Sequence, residues 1–401
     1  MTAETIIAAP ALLRDGRIGG PGALAVARGR IRRVLDEVPK DADVVLPCGV
    51  VTPGLIDLHN NGAFGVDFAV ARGSDWRRVL AGLAARGVTA VQPTIITAPL
   101  AAIRDAMERV ALAATAATSR AMPEARILGV HLEGPFIAEA RRGAHRAEWV
   151  RTPDPEAIDL LLGHLPSRQM LRTMTLAPEL AHALGATARL AAAGVVVSIG
   201  HSDATAEQAA AAIEAGARMV THLFNAMRPF AHRDPGLSGA ALTDSRLFLG
   251  LIVDGHHVHP IGCRLAFQAA ASRIVAVTDS ILIAGMPPGT EMEFGGAKVV
   301  VDDDGVGRRP DGTLAGAGII LDEGVRRMIA TGLDPAMVLT SATTTAARAI
   351  QRQDLGRLAV GARADLVWWD EEWQVLRVWI GGREVGAAHC GIDGRSRAVR
   401  S

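Results

Sequence analysis

The chain has 401 residues, of which 49% are hydrophobic, and this is enough for a large buried core. Its 42 basic and 42 acidic residues give a formal net charge of +0, which excludes an overall basic surface for nucleic acid. No apolar run reaches the roughly 18 residues needed to cross a bilayer, so we expect no membrane partner.

The three cysteines, Cys48, Cys263 and Cys390, are scattered and share no CxxC spacing. This pattern argues against a disulfide framework and against a cysteine-based zinc site. The first residues, MTAETIIAAP, also lack the basic and apolar regions of a secretory signal. We therefore expect a cytoplasmic protein.

Both ends of the chain have the pattern of short β-strands. Residues 1–52 contain brief apolar runs separated by turn signals such as Asp15-Gly16, and residues 364–385 contain two strand-like runs and a Gly-Gly turn. We predict a small β-sandwich domain assembled from residues 1–52 and 356–390. The polar, Arg-rich tail at 391–401 is expected to lie outside this domain.

Residues 53–355 alternate short apolar runs with Ala-rich helical segments such as 203–217. This alternation favours an α/β fold with a parallel sheet, and about eight such units favour a closed (β/α)8 TIM-type barrel. A segment rich in Gly, Pro and Asp at 285–318 interrupts the rhythm, and we predict that it forms an inserted β-hairpin. The clearest predicted barrel strands are 88–96, 126–134, 170–179, 195–201, 218–224, 247–255 and 273–280.

Polar residues follow the apolar runs, at the points where the predicted strands end. Because strand carboxyl ends form the active face of such a barrel, we expect these side chains to meet there. A single histidine at a strand end could equally be solvated, but polar side chains at six separate strand ends are hard to explain by packing. The residues are His59, Glu133, His201, His222, His257 and Asp279.

One carboxylate and two imidazoles form a suitable three-ligand set for a divalent metal that keeps one position open for water. We assign Glu133, His201 and His222 to this set and expect one metal ion per subunit. Zinc is our first choice, and the same ligands also suit iron, cobalt or manganese.

Asp279 is the expected general base, because a carboxylate beside a metal-activated water can accept its proton. The alternative for Asp279 is a helix N-cap, which the following Ser280 would also permit. The two lysines, Lys40 and Lys298, lie in the N-terminal β region and in the predicted hairpin. Neither is placed to become a carboxylated lysine that bridges two metals at a strand end.

Ten short sequence motifs occur in the order and with the spacing of one protein family. They run from PGLIDLHNNGAFGVDF at 53–68 to GRLAVGARADLV at 356–367 and include HLEGPFI, SIGHSDAT, THLFNAM and VDGHHV. On these motifs the chain resembles the N-acetylglucosamine-6-phosphate deacetylases of the amidohydrolase superfamily. The resemblance implies hydrolysis of N-acetyl-D-glucosamine 6-phosphate to D-glucosamine 6-phosphate and acetate. The alternatives are N-acetylgalactosamine 6-phosphate, another N-acyl or cyclic amide, and non-catalytic sugar-phosphate binding.

The resemblance also implies roles for single residues. It gives Glu133, His201 and His222 as metal ligands, Asp279 as the catalytic acid/base, and His145 as a group that helps to polarise the acetyl carbonyl. It implies a homodimer in which Arg233 reaches the phosphate in the neighbouring active site. By themselves, Arg233 could be a surface arginine and His257 could be structural. The positions that match substrate contacts are Ala144, His145, Asn225, Ala226, Arg233, His257, Leu314, Ala315 and Gly316.

One departure from the wider superfamily concerns the metal count. Many amidohydrolases carry His-x-His after the first strand for a second metal, whereas this chain has His59 and Asn61. Because asparagine is a poor ligand for transition metals, we expect one tightly bound metal and at most a weak second site involving His59. A smaller departure is Ala317, where many members of the family have serine.

Overall fold

The computed structural model describes residues 4–118, 122–163 and 170–386. The predicted tail at 391–401 and the last residues of the predicted sandwich, 387–390, lie outside the described residues. In the described part of the chain, no helix has both the length and the apolar character needed to cross a membrane.

Parallel strands form a nearly closed barrel at the centre of the molecule. A short strand, Arg126–Ile127, precedes the barrel strand Val130–Glu133 and pairs with the same neighbour, Val88–Ile96. The barrel closes where Asn60 bridges Ser280 and the Asp279 amide donates to the His59 carbonyl at 2.8 Å. The strands pair in chain order, and we label them β1 Leu55–Asn60, β2 Val88–Ile96, β3 Val130–Glu133, β4 Leu171–Leu176, β5 Val196–Ile199, β6 Met219–Val220, β7 Phe248–Ile252 and β8 Ile274–Val277.

Helices cover the outside of the barrel and bury their apolar faces against it. The helical segment predicted at 203–217 begins at Ala206, because the Thr205 hydroxyl caps it and Gln208 completes a capping box. Short 3-10 helices lie at Glu139–Arg141, Ala147–Trp149 and Ala271–Arg273. The described α-helices are Ser74–Ala85, Leu100–Thr118, Pro155–Gly163, Ala183–Ala192, Ala206–Glu214, Gly236–Thr243, Pro260–Ala270, Leu321–Ala330, Pro335–Ser341 and Thr344–Ala349.

Strands from both ends of the chain form two four-stranded sheets that share one core. Leu24 and Ile31 from the first sheet and Leu366 and Trp379 from the second are buried in this core. The predicted (β/α)8 barrel with a small sandwich from both termini is confirmed, and we propose 1–52 with 356–390 and 53–355 as its domain boundaries. In sheet order, the strands are Arg30–Leu35, Gly22–Ala27, Thr5–Ala9 and Val44–Val45, and then Arg383–Glu384, Val375–Ile380, Leu366–Trp369 and Val50–Pro53.

The segment at 285–318 forms a four-stranded antiparallel sheet, the inserted sheet, where we predicted a single hairpin. The segment has three turn signals, and each of them ends a strand. At the middle turn, the Asp302 carboxylate accepts from the amides of Asp304 (3.0 Å) and Val306 (2.8 Å). The strands are Glu291–Phe294, Ala297–Val301, Val306–Arg308 and Leu314–Ala317, with further two-stranded pairs at Leu13–Arg14 with Arg17–Ile18 and at Gly62–Ala63 with Val66–Asp67.

Candidate metal centre and active site

The three predicted metal ligands meet at the carboxyl end of the barrel. Glu133 Oε1 lies 3.1 Å from His201 Nε2 and 3.0 Å from His222 Nε2, and these two nitrogens are 3.0 Å apart. All three side chains are buried. Ligand atoms at about 2.0–2.1 Å from a tetrahedral zinc ion would be about 3.3 Å from one another, so the three atoms fit around one small cation.

The second carboxylate oxygen of Glu133 faces a different set of side chains. Glu133 Oε2 lies 3.1 Å from His59 Nε2, which in turn lies 3.1 Å from Asp279 Oδ1. His145 Nε2 lies 3.8 Å from the same Glu133 oxygen. Among the described residues, two further groups could hold a metal ion, Glu133 with His145 and His201 and Glu133 with His59 and Asp279, and both share Glu133 with the first set.

The hydrogen bonds of His201 support its role as a ligand. Its Nδ1 lies 2.8 Å from the Arg141 carbonyl oxygen, which can only accept, so Nδ1 carries the proton in the neutral ring. The Nε2 lone pair then faces the Glu133 carboxylate, and two acceptors in contact call for a cation between them. His59 Nε2 likewise lies close to two carboxylates but is buried without a hydrogen-bond partner.

The local backbone is strained at three of these residues. His201, His222 and Asp279 have φ values of 48°, 30° and 51°, and each follows the end of a barrel strand. Residues other than glycine avoid this left-handed region, and such strain clusters at functional sites. The sharp turn in the backbone directs each side chain toward the pocket at the barrel mouth.

Neighbouring charges keep the two carboxylates of the site ionised in spite of their burial. Burial raises the pKa of Glu133, but the charge of the nearby His59 and the close imidazoles of His201 and His222 outweigh it and hold the pKa well below its usual range. Burial also raises the pKa of Asp279, but the charge of His59 more than offsets it and the pKa is lowered. Both groups therefore present negative charge toward the place where a cation would bind.

His145 is held in its neutral form. Burial, with His201 nearby, lowers the pKa of His145 to about 3. The Thr97 amide donates to His145 Nδ1 at 3.3 Å, so the proton of the neutral ring is on Nε2. His145 can therefore donate a hydrogen bond from Nε2 into the pocket.

A pocket of about 200 Å³ opens above this cluster. The predicted site residues line it, apart from His59 and Arg233. His59 is buried in contact with Glu133 and Asp279, and Arg233 is exposed in the loop after β6 and does not line the pocket of its own chain. The lining residues are Asn61, Ile96, Glu133, Gly143, Ala144, His145, His201, His222, Asn225, Ala226, Ile252, His257, Asp279, Phe294, Leu314, Ala315 and Gly316.

Sequence reasoning missed several residues that position the predicted ones. Asn61 Nδ2 donates to Asp279 Oδ1 at 2.9 Å, although we considered Asn61 only as a missing metal ligand. Asp254 Oδ2 lies 2.6 Å from His257 Nδ1. Burial lowers the pKa of His257, but the hydrogen bond and the charge of Asp254 outweigh burial, so the pKa is raised. Both Asn61 and Asp254 follow the end of a barrel strand, and this position in the sequence could have identified them as site residues.

The alternative role of Asp279 does not fit the geometry. The next described helix after Asp279 is Leu321–Ala330, so Asp279 is not an N-cap. The lysines also lie away from the site, and Lys298 pairs with Glu291 at 2.7 Å in the inserted sheet. Neither Lys40 nor Lys298 lines the pocket.

Comparisons with known proteins agree with this architecture. The amidohydrolase family model matches residues 50–385. The chain is 37% identical over 351 residues to an N-acetylglucosamine-6-phosphate deacetylase of Vibrio furnissii, covering 86% of each chain. It is 38% identical over 336 residues to an N-acetylgalactosamine-6-phosphate deacetylase of Escherichia coli O157:H7, covering 83% of this chain and 87% of the relative.

Solved structures give the same result. The fold superimposes with a TM-score of 0.89 on a variant of the N-acetyl-D-glucosamine-6-phosphate deacetylase of Mycobacterium smegmatis in complex with N-acetyl-D-glucosamine 6-phosphate. That alignment has 34% sequence identity and covers 96% of this chain and 99% of the other. The barrel, the histidine and carboxylate cluster and these similarities together lead to one assignment: the chain belongs to the amidohydrolase family.

Proposed function

We propose that this protein is a metal-dependent hydrolase that converts N-acetyl-D-glucosamine 6-phosphate to D-glucosamine 6-phosphate and acetate. The observation that carries the proposal is the meeting of Glu133, His201 and His222 with Asp279 at one pocket of an amidohydrolase barrel. The similarity to hexosamine-phosphate deacetylases supplies the substrate class. The cytoplasmic location expected from the scattered cysteines stays a prediction.

Glu133, His201 and His222 would hold one divalent ion per subunit, with zinc as our first choice and iron, cobalt or manganese as alternatives. When bound, such an ion would act as a Lewis acid that polarises the acetyl carbonyl, and it would lower the pKa of a bound water molecule toward neutral pH. His59, with Glu133 and Asp279, would form at most a weak second site.

The proton transfers are assigned to Asp279. Its low pKa keeps the carboxylate ionised, and the Asn61 side chain orients it through Oδ1. Asp279 accepts a proton from the attacking water and then delivers it to the departing amine nitrogen. His145, neutral and protonated on Nε2, donates a hydrogen bond to the oxyanion that develops on the acetyl carbonyl.

The sugar phosphate is assigned to the outer part of the pocket. We propose that Asn225, Ala226 and His257 bind it, with Ala144 on one wall and Leu314, Ala315 and Gly316 of the inserted sheet on another. Arg233 is exposed and separate from the pocket of its own chain, which fits a homodimer in which it contacts the phosphate held by the neighbouring subunit.

The galacto epimer is the second candidate substrate, because a relative that carries that name is as similar to the chain as the gluco relatives are. The two sugars differ in the orientation of one hydroxyl. Measuring kcat/KM for both epimers decides between them, and we expect the larger value for N-acetyl-D-glucosamine 6-phosphate. A larger value for the galacto sugar would reverse this part of the proposal.

The reaction itself is tested by acetate release from the purified, zinc-loaded protein. We expect turnover of N-acetyl-D-glucosamine 6-phosphate and far slower turnover of unphosphorylated N-acetylglucosamine. Equal efficiency on the two sugars would contradict the phosphate contacts. Binding of the phosphorylated sugar without release of acetate would instead identify a non-catalytic binding protein.

A further inference from the structure

A second cavity, of about 620 Å³, lies where the barrel meets the sandwich. We call it the arginine cavity, because Arg126, Arg352, Arg363 and Arg383 all line it. Arg126 begins the short strand that precedes β3, whereas Glu133 of the active site ends β3. The arginine cavity is therefore at the opposite end of the barrel from the candidate active site.

The carboxylates near this cavity do not satisfy its arginines equally. Arg352 forms a two-point ion pair with Asp354, at 2.7 and 2.9 Å. Arg363 Nε lies 3.4 Å from Asp365 Oδ2, but neither atom has a hydrogen-bond partner. Arg126 has no ion pair with any residue in the described part of the chain, and its Nε is buried without a partner.

The arginines also repel one another. Burial lowers the pKa of Arg126 most, and the charges of Arg363 and Arg352 lower it further. The charges of Asp365 and Asp354 act in the opposite direction, but neither carboxylate forms an ion pair with Arg126, and the pKa is lowered. A guanidinium that is largely withdrawn from water and close to like charges destabilises the fold unless a negative group binds beside it. Four arginines and one acidic residue, Glu124, line the cavity, and the Nε atoms of Arg126 and Arg363 are buried without a hydrogen-bond partner. The cavity thus has excess positive charge and enough volume to admit an anion.

We propose that the arginine cavity binds a phosphate-bearing small anion. The planar fork of a guanidinium matches the oxygen geometry of phosphate, and three separate parts of the chain supply guanidinium groups to one space. The cavity is larger than the active-site pocket of about 200 Å³, so a phosphorylated sugar or nucleotide fits as well as free phosphate. Because barrel and sandwich both line it, bound anion would stabilise their junction.

Calorimetric titration of the metal-loaded full chain with inorganic phosphate, at constant ionic strength, tests this proposal. We expect Arg126→Gln to weaken binding at this site about 10- to 100-fold, since it removes charge-assisted hydrogen bonds. Arg77→Gln is the matched control, because Arg77 is exposed on helix Ser74–Ala85 and forms no ion pair with the described residues. Equal phosphate affinity in all three proteins would overturn the proposal.

Thermal unfolding gives a second readout that does not depend on activity. Phosphate is expected to raise the Tm of the wild type and of Arg77→Gln, but not that of Arg126→Gln. Arg126→Lys keeps the positive charge but lacks the planar guanidinium, so its rise in Tm with phosphate should be smaller than that of the wild type and larger than that of Arg126→Gln. An equal rise in Tm for Arg126→Gln would contradict a site at Arg126.

The nature of the anion is decided by comparing probes. Only binding that Arg126→Gln weakens is counted, because glucosamine 6-phosphate can also bind in the active-site pocket. If that binding is tighter for glucosamine 6-phosphate or for AMP than for inorganic phosphate, the cavity is assigned to a sugar phosphate or a nucleotide, and equal binding assigns it to phosphate alone. Acetate release is measured on the same samples, and we expect Arg126→Gln to retain it. Phosphate binding at the arginine cavity and acetate release are thus measured separately, so either proposal can fail without the other.

Discussion

The two ends of the barrel interior contrast sharply. Near the amino ends of the strands, apolar side chains such as Ile56, Val196 and Val275 form a buried cluster with Ala346 and Ala347 of the helix Thr344–Ala349. At the carboxyl ends, the same strands lead to the polar side chains of the candidate active site. One end of each strand therefore packs the core, and the other end presents chemical groups.

A buried polar layer separates these two regions. His131 Nε2 lies 2.7 Å from Thr175 Oγ1, Thr175 Oγ1 lies 2.7 Å from Thr221 Oγ1, and Thr221 Oγ1 lies 2.6 Å from Ser198 Oγ. On β3, His131 occupies the inward position two residues before Glu133. Thr221 directly precedes His222 in the chain, so this hydrogen-bonded layer lies next to two of the proposed ligands and should restrain the backbone that carries them.

The largest expected effect comes from the carboxyl end. His222→Ala removes an imidazole that lies 3.0 Å from Glu133 Oε1, so the divalent ion should be lost and activity should fall to background. Elemental analysis together with acetate release checks this. A variant that retained one full equivalent of metal would show that His222 is not a ligand.

Asp279→Asn separates proton transfer from metal binding. We expect kcat to fall about 10²- to 10⁴-fold, because the amide cannot accept the proton, while the metal content is unchanged. His59→Asn serves as a comparison, since it also contacts Asp279 but has no assigned proton transfer. Near-normal turnover by Asp279→Asn would exclude it as the base.

The apolar end should affect stability without affecting chemistry. Ile56 is fully buried, so Ile56→Ala should lower the free energy of unfolding by about 2–5 kcal/mol and leave kcat per folded molecule nearly unchanged. Denaturant unfolding and active-site titration measure the two effects. A large fall in kcat per folded molecule would contradict the view that the amino ends of the strands serve stability and the carboxyl ends serve the reaction.

The polar layer should show an intermediate response. His131→Leu removes one hydrogen-bond partner from each of the buried hydroxyls of Thr94 and Thr175, which should cost about 1–3 kcal/mol of stability. Because Glu133 is on the same strand, the apparent Kd for the metal should also rise. An unchanged metal affinity would indicate that the layer only fills the barrel.

The smallest expected effect concerns the rim of the pocket. Arg309 of the inserted sheet donates to the Ala144 carbonyl at 2.9 Å and so ties this sheet to the loop that carries His145. Arg309→Ala should raise KM severalfold and change kcat little. Steady-state kinetics that show the reverse pattern would place Arg309 in the chemical step.

Sequence patterns predicted the barrel well, because it depends on the local order of strands and helices, and the same order predicts where the proposed ligands lie. Glu133, His201 and His222 each follow an apolar run, and parallel strands bring their carboxyl ends together. The contact of Asn61 with Asp279 could not be predicted, since it joins the first and last strands across the barrel closure. The arginine cavity was missed for the same reason, because its arginines are spread from residue 126 to residue 383.

Anomalous diffraction at the zinc absorption edge, from crystals of the zinc-loaded protein, would locate the metal ion itself. We predict one strong peak within about 2.0–2.2 Å of Glu133 Oε1, His201 Nε2 and His222 Nε2, with Asp279 facing it across the pocket. A strong peak elsewhere in the molecule, with these three atoms uncoordinated, would contradict the account.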